Sequence, residues 1–536
     1  MTAGALAKAV NAKRPSMKSI FISCLMFSGL TLNAQRPTPV LTESGFVRGY
    51  YSESSGITIY KGIPFAAAPV GELRWKEPQP AVHWKGIKEC VTFGPSPMQA
   101  KPVSFLMIGP EFVVPAQPLS EDCLYLNVWT GARSAEERRP VLVWIYGGGF
   151  QTGGAAAPGY SGEALAKQGI VFVSFNYRLG VFGFFAHPEL SAESGHHSSG
   201  NYALMDQLAA LKWVRKNIAA FGGDPDRVTI AGQSAGSASV NCLLASPLAR
   251  GLFQGAIGES GSLVLENPFL HMRSLPEAEK EGVRVAAKLN ATNLKESNAT
   301  SLKELRALST EEIQQKASGF YAPIIDGWVM PASVADVYKK DQQIHVPLLT
   351  GWNSDEGFIF GISSKENFAN QAEQFGADSN LFKKYFPART DSESVASQTE
   401  LSVDKTIAIS QYVWALKQNE NKSEKTFLYQ FKRKPPATGE MKRFGAYHTA
   451  EIGYALHNLD SIQRNWQAAD RSLEKLMSAY WVQFVKTGDP NGPGLPPWGS
   501  FSGEHPVTLI FDDSSKAVLL PNKKVLDFLY ARYPGK

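Results

Sequence analysis

Cysteine is scarce in this chain. Four occur in 536 residues, at positions 24, 90, 123 and 242, and none forms a CxxC pair or a cysteine–histidine cluster. The ligand set for a structural or catalytic metal is missing, so no metal is expected. The chain also lacks low-complexity tracts, internal repeats and linker-like breaks, which argues for one domain with insertions rather than a string of modules. An excess of charge is absent too. The formal +5 rests on residues 1–34, where Lys8, Lys13, Arg14 and Lys18 stand without an acid. Setting those four aside takes the basic count from 54 to 50, against 49 acids. No basic field remains to hold nucleic acid or an anionic membrane.

Long apolar runs are missing beyond the start. Residues 17–34 read as a secretory signal: a short basic segment at Met17 and Lys18, an apolar run over 20–32, and Ala34 as the last residue removed. Residues 1–16, polar and basic, read either as an extended n-region or as the product of an upstream start codon. The expectation is a signal over 1–34, a domain over 35–536, and an exported protein, periplasmic or extracellular, with no stable membrane insertion after cleavage. Cys24 leaves with the signal. The odd count that remains allows at most one bridge, and Cys242, on an apolar stretch, reads as core.

What is present is a strand–helix alternation. Alternating segments at 46–50 and 57–60 read as hairpin strands at a sheet edge. Residues 66–120 are rich in proline and glycine and read as a long ordered surface segment. Apolar strands are predicted over 125–129, 140–146, 170–175, 228–231, 346–350, 427–431 and 507–511. Helical periodicity marks 201–220, 278–317, 366–418 and 470–486. The class is α/β: a mostly parallel sheet with helices on both faces and helical insertions.

Two glycine-rich turns fall at predicted strand ends. GQSAG at 232–236 follows one strand and opens a helix. That is the context of a nucleophile elbow, with Ser234 at the tip and glycines where side chains would collide. GGG at 147–149 lets backbone N–H groups approach a ligand closely, as an oxyanion hole requires. An acid and a histidine must follow the serine. Asp355 and Glu356 come directly after the strand over 346–350, and the later histidines are His448, His457 and His505. The residues alone leave these choices open. The pair His196 and His197 reads as part of a solvated loop.

These motifs resemble the type-B carboxylesterase and cholinesterase family of α/β-hydrolases. EDCLYLN at 121–127, WIYGGGF at 144–150, NYRLG at 176–180, GNYALMDQ at 200–207, FGGDP at 221–225, GQSAG at 232–236, GWNSDEG at 351–357 and GAYHTAE at 445–451 carry the likeness over nearly all of 35–536. The overall pattern is similar to that of bacterial secreted members. The resemblance implies Ser234 as nucleophile, Glu356 as acid and His448 as base. It implies Gly148, Gly149 and Ala235 as oxyanion donors, ester hydrolysis through an acyl-enzyme, and no cofactor.

One departure concerns the family's disulfide, which joins the cysteine of the EDC motif to one in an FGPxC context. Pro97 occupies that position here, so Cys123 lacks its partner and Cys90 is the substitute if a bridge forms. Cholinesterases hold a quaternary ammonium on an aromatic, chiefly a tryptophan in the loop that this bridge closes. The corresponding stretch, 98–122, holds Phe105 and Phe112 but no tryptophan, which implies neutral esters as substrates. Trp328 and Phe360 are the aromatics able to replace it. Two rivals exist. One is a non-catalytic adhesion protein on the same fold, as in neuroligin-like members; the chain keeps all three triad positions. The other is a penicillin-recognising enzyme, suggested by Ser472 with Lys475 and by KTG at 486–488. Those residues read instead as a solvated helix face and its glycine stop.

Overall fold

The computed structural model describes residues 37–536 except 102–108, 116–117, 266–270, 291–300, 358–361, 422, 438–441, 443 and 534–536. The proposed signal over 1–34, Phe105 and Phe360 lie outside the described residues. Eleven strands form the main sheet: β1 Tyr50–Ser52, β2 Ile57–Pro64, β3 Tyr125–Thr130, β4 Arg139–Ile145, β5 Val171–Phe175, β6 Gly223–Gln233, β7 Gly255–Glu259, β8 Leu348–Asn353, β9 Thr426–Phe431, β10 Val507–Phe511 and β11 Lys516–Leu519. Their spatial order is β11-β10-β9-β8-β7-β6-β4-β5-β3-β2-β1. From β10 to β5 every neighbouring pair is parallel. Antiparallel strands flank this block at both ends.

The central strands are unbroken apolar runs because helices cover both faces. Four helices matter for the site: α1 Tyr202–Asn217, α2 Ala235–Ala245, α3 Ile409–Gln418 and α4 Ala468–Thr487. Successive residues of a strand point to opposite faces, and β7 shows which helix lies where. A Cβ at Gly258 would meet Trp414 of α3 at 2.1 Å, while Glu259 accepts a hydrogen bond from Trp481 of α4 at 2.8 Å. Parallel strands share one carboxyl edge, and β4, β6, β7, β8 and β9 all deliver their following loops there.

The edge differs from the sequence reading. Residues Gly45–Arg48 pair with Val40–Thr42 and Ile87–Glu89 in a separate three-stranded sheet, and the hairpin partner of β2 is β1. The periodic stretch over 366–418 is several helices, broken at Gly376, whose φ of 54° interrupts the turn, and again at Pro387. Strand β8 runs three residues beyond its predicted end. Ser472 caps nothing catalytic: its hydroxyl donates to the Ala468 carbonyl at 3.0 Å, and Gly488 ends α4 at a φ of 74°. Among the described residues no helix is long and apolar enough to cross a membrane.

Cys90, Cys123 and Cys242 are free and buried, so the substitute bridge between Cys90 and Cys123 is not formed. The two lie in different surroundings. Cys90 follows the small sheet, its N–H donating to the Arg48 carbonyl at 2.7 Å. Cys123 sits in the field of Asp206 and Arg178. Burial pushes the Cys90 thiol up to about 12 and Cys123 well above the usual thiol range.

Candidate active site

The turn after β6 is tight because two residues have no side chain. A Cβ on Gly232 would fall 2.5 Å from the Gly236 carbonyl carbon, and one on Gly236 would fall 2.0 Å from the Ile145 carbonyl oxygen. Between them Ser234 holds φ 57° and ψ −122°, a conformation that a side chain rarely adopts. The Ser234 N–H donates to the Glu259 carbonyl at 2.8 Å, which anchors the strained turn to β7.

The loop after β4 packs against this turn. Gly148 has φ 111°, and its carbonyl accepts the N–H groups of Gln151 and Thr152 at 3.0 and 3.1 Å. Its carbonyl is thereby turned into its own loop. A Cβ on Gly148 would fall 2.1 Å from the Thr152 carbonyl oxygen, whereas one on Gly149 would meet nothing within 4 Å. Among the described residues, no backbone acceptor takes up the N–H of Gly148 or Gly149. Ala235 is the first residue of α2, where N–H groups lack intrahelical acceptors.

Glu356 follows β8 and is fully buried. Its Oε1 accepts from the Asn353 N–H at 2.7 Å and the Ser260 hydroxyl at 3.0 Å. Its Oε2 lies 2.6 Å from Nδ1 of His448. That bond assigns the Nδ1 proton to the carboxylate side and turns Nε2 away from Glu356. Asp355, the other acid left open by the sequence, instead accepts the Ala446 N–H at 2.8 Å. It ties the acid loop to the histidine loop rather than contacting the imidazole. His457 bonds Ser478 at 2.9 Å, and His505 lies on an exposed turn. His196 stacks on Trp328 with centroids 3.6 Å apart.

Ser234 and His448 line one cleft of about 520 Å³, together with Gly147, Gly148, Gln233, Gln99, Phe112, Val113, Val114, Thr152, Gly153, Tyr160 and Thr449. Part of its wall is apolar, formed by Phe112, Val113 and Val114, with Phe112 against Tyr160 at 5.5 Å.

Several supporting residues were not singled out from the sequence. Ser260 follows β7. Gln233 donates to the His448 carbonyl at 2.6 Å. Asn353 donates its side-chain amide to the carbonyls of Tyr447 and His448 at 2.7 and 3.3 Å, and to Glu451 at 2.5 Å. Asn353, Gln233 and Glu451 all stand inside the motifs quoted above, so their positions were visible though their partners were not. Another motif pair has a purely structural explanation. Arg178 of NYRLG meets Asp206 of GNYALMDQ through Nε and Nη2 at 2.8 and 2.7 Å, both side chains buried, which locks the loop after β5 to α1.

A parallel sheet with a serine turn, a glycine loop and a histidine–carboxylate pair on one carboxyl edge defines an enzyme of the α/β-hydrolase class. A model of the carboxylesterase family matches residues 36–528. The chain belongs to that family and is a carboxylic ester hydrolase. It is 35% identical to the fumonisin B1 esterase of Sphingopyxis macrogoltabida over 88% of this chain and 87% of that protein. It is 32% identical to the para-nitrobenzyl esterase of Bacillus subtilis (strain 168), over 88% and 94%. A crystal structure of the Geobacillus stearothermophilus carboxylesterase superposes with a TM-score of 0.77 at 30% identity, covering 93% of this chain and 100% of that one. These likenesses are to esterases and do not support the adhesion-protein alternative.

Proposed function

We infer that hydrolysis runs through Ser234. The observation that carries this reading is the shared cleft: Ser234 and His448 line it, and His448 is bonded on its far side to buried Glu356. His448 Nε2 takes the Ser234 proton as Oγ attacks the ester carbonyl, and Glu356 orients the imidazole and stabilises its charged form. The N–H groups of Gly148, Gly149 and Ala235 hold the tetrahedral oxyanion. The alcohol leaves with the proton from His448, and water then repeats the sequence on the acyl-enzyme, returning acid and free serine. Ser234→Ala is expected to lower turnover by at least ~10⁴ while the protein stays folded. A fluorophosphonate probe is expected to label only the wild type. Undiminished labelling of the variant excludes Ser234.

Two further elements belong to the proposal. The substrates are uncharged carboxylic esters, in keeping with the apolar patch of Phe112, Val113 and Val114 and with the absence of a carboxylate among the described lining residues. The relatives' names point to quite different esters, fumonisin B1 for one and a para-nitrobenzyl ester for another, so family membership alone leaves the alcohol and acid unassigned. The chain is exported, with residues 1–34 removed; N-terminal sequencing of secreted material is expected to begin after Ala34, and an intact leader on it excludes this.

A further inference from the structure

Two buried carboxyl groups behind the candidate triad have no part in the steps above. Glu259 ends β7 and Glu451 lies three residues after His448; both are fully buried. One oxygen of each is taken. Trp481 of α4 donates to Glu259 Oε1 at 2.8 Å, and Asn353 donates to Glu451 Oε2 at 2.5 Å. The other two oxygens, Oε2 of Glu259 and Oε1 of Glu451, are buried and find no donor among the described residues. Glu356 differs: Asn353, Ser260 and His448 all donate to it.

A closed layer that already holds Glu356 is a costly place for two more full negative charges with so few donors. A proton held between two carboxyl groups supplies the missing donor and removes one charge, as in carboxylate dyads elsewhere. We propose that Glu259 and Glu451 share one proton and act as a positioning pair that keeps the His448 loop in register with Glu356. This rests on the reading of Glu356 and His448 given above. The route is short. Glu451 holds the Asn353 amide, the same amide holds the Tyr447 and His448 carbonyls, and the Asn353 N–H holds Glu356.

The electrostatics agree with the geometry. Burial pushes the Glu259 carboxyl up to about 8. Burial, then the charges of Glu259 and Glu356, push Glu451 well above the usual carboxylate range. The other titratable groups facing this layer are His448, Tyr429 of β9, Tyr160 from the turn Pro158–Tyr160, and Tyr447. Tyr429 and Tyr160 are themselves raised, by burial first and then by these carboxyls. Tyr447 faces Glu111, which Arg464 pairs at 2.8 Å. Trp481 brings no charge.

When the pair loses its last proton, three carboxylates face one another. Glu451 is driven from Glu356, and Asn353 loses its hold on the histidine loop. The test uses full-length Glu259→Gln and Glu451→Gln, in which an amide N–H replaces the shared proton. For wild type, kcat/KM is expected to fall on the alkaline side. In either variant that fall is expected to move to higher pH or vanish.

Thermal midpoints give a second readout that needs no turnover. A carboxyl raised in the folded state contributes stability below its unfolded value, and loses it as pH rises toward the folded one. The Glu259→Gln midpoint should therefore gain on wild type between about pH 5 and about 8. Superimposable pH–rate profiles, or a midpoint difference that does not vary with pH, overturn the proposal. Probe labelling of Ser234→Ala would overturn the nucleophile assignment instead, and the melting comparison would still decide the pair.

Discussion

Ser234 is held in a conformation that costs of order 1–3 kcal/mol, and the turn persists because its neighbours leave it no room. A Cβ on Gly261 would fall 2.2 Å from the Ser234 carbonyl oxygen, so that turn is enclosed from the β7 side as well. The three histidines after β8 divide by environment in a way that composition could not supply. His448 alone reaches a buried carboxylate and the cleft. His457 has its Nδ1 on Ser478, and His505 is a turn residue whose N–H donates to Ser502 at 2.9 Å. His448→Ala is expected to abolish turnover, and His457→Ala and His505→Ala to retain most of it. Loss of turnover in His457→Ala with retention in His448→Ala reverses the assignment.

Elements place these residues, and two glycines separate packing from chemistry. Gly236→Ala drives a Cβ to 2.0 Å from the end of β4, where backbone cannot yield. It is expected to cost about 3 kcal/mol or more, the upper part of the overpacking range. Gly149→Ala meets no atom within 4 Å but keeps φ at 62°. Its cost is a backbone strain of about 1 kcal/mol, with a loss of turnover out of proportion if its N–H faces the oxyanion. Urea midpoints beside kcat check both; equal midpoints for the two variants contradict the steric account. The collision at Gly236 was legible in the sequence because a nucleophile elbow dictates it. So was the parallel core, whose strands are apolar on both faces and brief. The insertions were legible only as helical periodicity. Periodicity does not register a positive φ at Gly376 or the pairing choice of a short edge strand such as Tyr50–Ser52. The partners of Asn353 and Glu451 were hidden for another reason. A buried polar network joins residues about 100 positions apart, and spacing along the chain carries no trace of it.

At the scale of the whole molecule the question is which ester enters. A choline ester needs a site for a quaternary ammonium, built from an aromatic face or a carboxylate, and a field that draws cations in. The chain over 35–536 is close to neutral, with 50 basic residues against 49 acidic. Among the described residues that line the cleft there is no tryptophan and no carboxylate. Of the aromatics named for that role, Trp328 is engaged by His196, and Phe112 lies against Tyr160 in the wall. Phe112 and Tyr160 are weaker partners for a cation than tryptophan. Glu111, the nearest carboxylate to that wall in sequence, is neutralised by Arg464 at 2.8 Å. Cys123 stays unbridged, so no covalent closure fixes the preceding loop. An uncharged alcohol or acyl group, by contrast, loses no hydration of charge on entering beside Phe112, Val113 and Val114, and gains from their burial. The expected outcome is a higher kcat/KM for an uncharged ester than for an acetylcholine-type ester of matched size and leaving-group pKa. A preference of about tenfold for the choline ester, some 1.4 kcal/mol of differential transition-state binding, would establish an ammonium site that these residues do not provide.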